Sequence, residues 1–260
     1  MAESMNNGLE RLLEILANIS RGKYSDDIIE LTDDSFPGHI RVISEAVGLM
    51  MVKIEAREYQ LSLMVEELKE LNQKLEKNTL DTLSTIAAIL AARDVYTEGH
   101  TERVALLAER IARHMQLDEN ETEKIRIGGL LHDIGKIGFP DILFQEHEGK
   151  NPPHLVKEIM SHPEKGYMIL KNLNFLGDAL EYVYCHHERI DGKGYPRGLN
   201  GDQIPLGAKI IAVSDAYDAM TTARPYQKEM TRGEALKILN TLSGKKWDPY
   251  CVSALVAVTE

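Results

Sequence analysis

Hydrophobic positions near the start of the chain recur every three or four residues. Leu12, Leu13, Ile15, Leu16 and Ile19 predict an amphipathic helix over 8–20. Arg21-Gly22-Lys23 interrupts that pattern, and a loop is expected through Asp33, Pro37 and Gly38. A long helix should begin at His39, because no Gly or Pro falls between Gly48 and Gly99. Within it Val47, Met50, Ile54, Leu61, Met64, Leu68, Leu71 and Leu75 alternate steps of three and four, skipping only Arg57. So narrow an apolar seam, flanked by the charges of EELKELNQKLEK, predicts a coiled coil and a parallel homodimer. Further helices are predicted over 82–93, 102–115, 121–135, 154–173, 176–187, 209–220 and 232–242. The stretch AKIIAVSDAYDAM also suits a buried strand through Ile210, Ile211 and Val213, but its helical surroundings favour a helix. The expected fold class is all-α.

Composition narrows the function. Hydrophobic residues at 43% and charged residues at 27% describe a foldable globular chain. Thirty Lys and Arg against 41 Asp and Glu give a net charge of −11, which argues against a surface that coats a nucleic-acid polymer. A small phosphate ligand held by metal ions is compatible with that charge. The two cysteines, Cys185 and Cys251, exclude a disulfide framework and favour a reducing compartment. No run of about 18 apolar residues occurs, so no membrane span is expected. The opening MAESMNNGLERLLEIL has no basic region followed by an apolar stretch, so a secretory leader is not expected either. A cytoplasmic location follows.

The chain divides into an N-terminal helical region over 1–55, a coiled-coil linker over 56–80, and a mostly helical domain over 77–260. The helix–loop–helix ahead of the seam resembles a HAMP signalling module, although its connector LTDDSFPGHI departs from the usual pattern.

Five of the nine histidines sit where packing explains them poorly. In IGGLLHDIGKIG the apolar face of Ile127, Leu130, Leu131 and Ile134 is broken by His132 and Asp133 side by side. A buried imidazole and carboxylate would each cost several kcal/mol unless something satisfied them. His100 opens the helix of TEGHTERVALLAERIA; His162 precedes Pro163 in HPEKG; His186 and His187 close a helix before the loop of HHERIDGKGYPRG. Asp215 and Asp218 interrupt the apolar VSDAYDAM. Imidazole is the commonest side-chain ligand for transition metals, so these groups are candidate metal ligands.

Taken in order, RDVYTEGHTERV, LLHDIGKIGFPDIL, HPEKGYMIL, HHERIDGKGYPRGLNGDQIP and AVSDAYDAMTTARPY resemble the HD-GYP domain, a subgroup of the HD-superfamily metal phosphohydrolases. The resemblance implies an all-α fold around a metal centre and hydrolysis of cyclic dinucleotides, chiefly cyclic di-GMP, to pGpG and GMP. It implies His100, His132, Asp133 and Asp215 as the shared ligand set and His162, His186 and His187 as ligands of a second divalent ion, with Asp133 bridging. Tyr96 stands where some members carry a glutamate for a third metal, so two ions are expected. Fe or Mn suits the imidazole and carboxylate donors, with Ni and Zn as alternatives.

A phosphodiester is anionic and its leaving alkoxide is poor. Two cations about 3.5–4 Å apart can acidify a water and hold the non-bridging oxygens. Lys136, in the HDxGK pattern, is expected to offset charge on the phosphate or the leaving oxygen. By the same resemblance Tyr195, Asp218 and Arg224 are substrate contacts, and the Gly-Tyr-Pro loop is a surface for signalling partners. Gln227 departs from the basic residue usual after Arg-Pro-Tyr. The rival readings are hydrolysis of another cyclic dinucleotide, such as cyclic GMP-AMP, and a silent cyclic-dinucleotide sensor.

Overall fold

A computed structural model describes residues 2–93, 99–140, 143, 152–223 and 229–259. Tyr96, His147, Arg224, Gln227 and Lys228 lie outside the described residues. The regular elements among the described residues are all helices, with two isolated bridges and no strand among them. The chain forms two compact units, Met1–Leu75 and Glu76–Glu260.

In the first unit helix α1 (Ala2–Ile19) ends before Gly22, which takes φ +74°, a conformation favourable only to glycine. The segment expected as a loop instead holds a 3-10 turn, Asp26–Thr32. Ser25 caps it by accepting from the Asp27 N–H at 3.2 Å, and Ile28 and Leu31 are buried. They close a small core with Leu12, Ile15, Ile40, Val47 and Met51. Helix α2 (Gly38–Arg93) then runs 56 residues and continues into the second unit. Val47, placed in the dimer seam by its spacing, is buried against α1 residues within its own chain, whereas Leu61, Met64, Leu68, Leu71 and Leu75 are more than half exposed.

In the second unit α3 (His100–His114) and α4 (Glu119–Leu131) form an antiparallel hairpin, with Asp118 capping α4 through the Glu121 N–H at 2.8 Å. Then come α5 (Pro153–Met160), α6 (His162–Leu170), α7 (Ala179–Cys185), α8 (Leu206–Thr221), α9 (Arg232–Leu242) and α10 (Pro249–Thr259). Helix α8 packs on α3, α4, α7, α9 and α10. Surrounded in this way it has little use for a polar face, and Ile210, Ile211 and Val213 are fully buried within a helix despite their β-branching.

Two predicted helices break before their expected ends, and one helix was not predicted. The helix expected over 121–135 stops at Leu131; Asp133 takes φ −97°, ψ 3°, and a 3-10 turn, Ile134–Gly138, follows. Gly135 lies so close to α6 that a Cβ there would collide with the His162 carbonyl, which fixes the path of this turn. The helix expected over 154–173 breaks at Ser161, because Pro163 lacks an N–H and can sit only in the first turn of a new helix. Helix α10 was not signalled by periodicity. Its segment PYCVSALVAVT is apolar nearly all round, and four of its residues, Cys251, Val252, Ala254 and Leu255, are buried.

Candidate metal centre

Three histidines are held by one local device. His132 follows the last residue of α4, His186 follows the last residue of α7, and His162 comes one residue after the Ser161 cap of α5. Each ring meets the carbonyl three residues earlier, one of the last-turn carbonyls that a helix leaves without a partner. His132 Nδ1 lies 2.8 Å from the Gly129 oxygen, His162 Nδ1 2.6 Å from Ile159 and His186 Nδ1 2.7 Å from Val183. A carbonyl oxygen can only accept, so Nδ1 carries the proton in each ring and Nε2 presents a lone pair.

Those lone pairs converge with nothing to satisfy them. His132 Nε2 is buried and has no hydrogen-bond partner among the described residues. His162 Nε2 and His186 Nε2 face each other at 3.2 Å, two acceptors without a proton between them. His162, His186 and His187 form one group, and His100, His132 and Asp215 another; within each, the ligand atoms lie within 4.8 Å of one another. Asp133 stands between the groups, with Oδ2 3.4 Å from His132 Nε2 and Oδ1 3.4 Å from His162 Nε2. Buried lone pairs and a carboxylate in this arrangement fit cations, and the nitrogen and oxygen donors fit a borderline divalent ion. Cys185 is next to His186, but burial pushes its thiol up to about 12, so it presents no thiolate.

Charge is distributed unevenly across the centre. Burial lowers His162 to about 4 and His187 to about 3, and holds His186 well below the ordinary imidazole value. His100 goes the other way: burial would lower it, but hydrogen bonds with Asp215 (3.3 Å from Nε2) and Asp218 (2.7 Å from Nδ1) raise it to about 9. For Asp133 burial opposes ionisation, and Lys136, with Nζ 2.5 Å from Oδ2, leads the positive groups that hold the carboxyl well below its usual range. Asp215 is likewise lowered against burial by His100, His132 and His187.

All seven residues singled out as ligands are thus brought together, and Lys136 touches the carboxylate between the two groups. Tyr195 lies over His187, ring centroids 4.8 Å apart and planes at 31°. Asp218, expected to touch substrate, is 6% exposed and engaged elsewhere: besides His100 it accepts from Arg103 Nε at 2.6 Å and Nη2 at 3.0 Å. Sequence reasoning missed Arg103, whose signal was its place one turn after His100. It also missed Glu188, 5% exposed, which accepts the backbone N–H groups of Arg197 and Leu199 at 2.7 and 2.9 Å and so pins the Gly-Tyr-Pro loop. Gly194 fits there because a Cβ would collide with the backbone of Glu188 and Arg189. A cleft of about 710 Å³ opens at the centre, with His186, His187, Asp215 and Tyr195 in its lining.

The family to which such a helical fold and histidine–aspartate centre belong is settled by comparison. Residues 84–251 match the HD domain family, and the chain belongs to it. The HD-GYP resemblance of its motifs agrees with that membership. The cyclic di-GMP phosphodiesterase response regulator RpfG of Xanthomonas campestris is 37% identical over 82% of this chain and 56% of its own. A cyclic di-GMP phosphodiesterase of Thermotoga maritima is 36% identical over 76% of this chain and 54% of its own. The chain therefore spans about half the length of these curated relatives. In the solved structure of a cyclic GMP-AMP phosphodiesterase from Vibrio cholerae the same fold recurs, with a TM-score of 0.53, 19% identity, and 68% of this chain and 48% of that one covered.

Proposed function

We propose that this chain is a two-metal phosphodiesterase that hydrolyses cyclic di-GMP. The observation that carries the reading is the set of unsatisfied Nε2 lone pairs in two groups, one on each side of the Asp133 carboxylate. His100, His132 and Asp215 would hold one divalent ion, His162, His186 and His187 the other, and Asp133 would reach both. Fe or Mn suits this donor set, with Ni and Zn as alternatives. Bound there, the ions supply positive charge for the phosphate and acidify a water.

The chain's own groups do the rest. Asp218, backed by Arg103, fixes the His100 ring, a positioning role in place of the substrate contact expected from sequence. The Lys136 ammonium sits beside Asp133, where it offsets negative charge that builds on the phosphate. Tyr195, held by the pinned loop, edges the cleft, and Arg224 adds a phosphate contact by resemblance. In the reaction the water oxygen bonds to phosphorus, the bond to the sugar 3′ oxygen breaks, and that oxygen takes up a proton, leaving linear pGpG; a second cut gives GMP.

The relatives' names support cyclic di-GMP as substrate. The reading places the chain in the cytoplasm, where a bacterial second messenger is turned over. It takes 1–55 as a HAMP-like region, 56–80 as a dimerising linker, 77–260 as the catalytic domain, and the Gly-Tyr-Pro loop as a surface for signalling proteins. Purified protein loaded with Fe or Mn should linearise cyclic di-GMP faster than 3′3′-cyclic GMP-AMP in parallel assays. A His132→Ala, Asp133→Ala double variant should be inactive. Binding without turnover under every divalent metal would contradict the enzyme and favour a sensor.

A further inference from the structure

Part of the cleft's lining has no use in the chemistry above. Besides His187 and Asp215 the cleft is lined by Met220, Ile238, Leu242, Lys246 and Trp247. Three cationic side chains, Arg189, Lys193 and Lys246, line it beside the carboxylates of Glu188 and Asp215. Arg189 is already committed, with Nε and Nη2 on Asp191 at 2.9 and 2.7 Å. Lys246 makes no ion pair among the described residues; its ammonium lies 4.4 Å from the centre of the Trp247 ring.

The turn that presents this lysine is braced. Its N–H donates to the Leu242 carbonyl at 2.8 Å, the Gly244 N–H donates to Trp247 at 2.9 Å, and the Ile190 N–H reaches the Lys246 carbonyl at 3.4 Å. Lys209 holds Asp248 at 3.2 Å just beyond. Burial and then the nearby Arg189 lower the Lys246 pKa against the opposing carboxylates of Asp215 and Asp191, so a phosphate beside the ammonium would favour its charged form.

A cyclic dinucleotide carries two phosphodiesters in one small ring. With one of them at the metal centre, the other has to lie in the same cleft. We propose that Lys246, seated on Trp247, binds the phosphate that is not cut and so selects a two-phosphate ring over a simple phosphodiester. This rests on the phosphodiesterase reading and adds the specificity of its cleft.

Steady-state kinetics on cyclic di-GMP and on bis(p-nitrophenyl) phosphate, which has one phosphorus, test it. Lys246→Met should raise KM for cyclic di-GMP by about tenfold, the effect of losing one charged hydrogen bond, and change kcat little. The ratio of kcat/KM between the two substrates should fall by a similar factor. Lys246→Arg should restore most of the ratio, and Lys245→Met, at an exposed neighbour, should match wild type. If Lys246→Met does not fold, Lys246→Gln serves in its place. An unchanged KM and ratio in the folded variant overturns the proposal and leaves the phosphodiesterase standing. A wild-type protein inert on both substrates removes the two together.

Discussion

At the scale of single residues the centre is a problem of protons. Free imidazoles titrate near about 6.5. In the metal-free fold His162 lies at about 4 and His187 at about 3, both chiefly because they are buried. As pH falls below 6.5 the unfolded chain takes up protons that the folded chain refuses, so stability drops with falling pH down to about 4 and below. His100 has the opposite sign. Its folded value of about 9 makes its contribution complete below 6.5 and loses it as pH rises through 9. Thermal melts of chelated protein should therefore give the highest Tm between roughly pH 6 and 7.5, with losses at pH 5 and at pH 9. Metal-free protein more stable at pH 5 than at pH 7 would contradict this placement of charge. The candidate ligands were legible as residues: a histidine and an aspartate adjacent in an apolar stretch, and paired histidines before a glycine-rich loop, are costly without a partner. The residues behind them were not. Arg103 meets Asp218 across 115 positions, and Lys246 meets the Gly-Tyr-Pro segment only through a turn far along the chain, so no local pattern announces either.

At the scale of elements, helix breaks build the site. Three histidines stand just after helix ends because last-turn carbonyls are available there to fix Nδ1. Sequence periodicity found the helices but carried two of them straight through their breaks, at Asp133 and at Ser161. At the first break Gly135 allows the turn to pass close against His162, and at the second Pro163 lacks an N–H; packing and a missing donor are features that periodicity does not see. Helix α10 escaped for a related reason: without a polar face it has no period. Helix α2 makes its own prediction. Leu61, Met64, Leu68, Leu71 and Leu75 keep their three–four spacing and stand 57–65% exposed, an apolar stripe that a second copy would cover. Sedimentation should show a dimer at micromolar concentration, and Leu68→Glu with Leu71→Glu should give a helical monomer. A wild-type monomer at tens of micromolar would remove the coiled coil.

At the scale of the molecule, the catalytic reading depends on side chains from separate helices meeting at one place. His100 comes from α3, His132 and Asp133 from the end of α4, His162 from α6, His186 and His187 from the end of α7, and Asp215 from α8. The fold class, the order of the candidate ligands and their division into two groups around Asp133 were legible from the motifs' resemblance; what three dimensions add is the distances, with the two groups each converging within 4.8 Å and Asp133 3.4 Å from a ring of either one. Elemental analysis of protein reconstituted with excess Fe or Mn and then desalted tests that division most directly. About two divalent ions per chain are expected. A folded protein that retains one ion or none would contradict the two-metal centre.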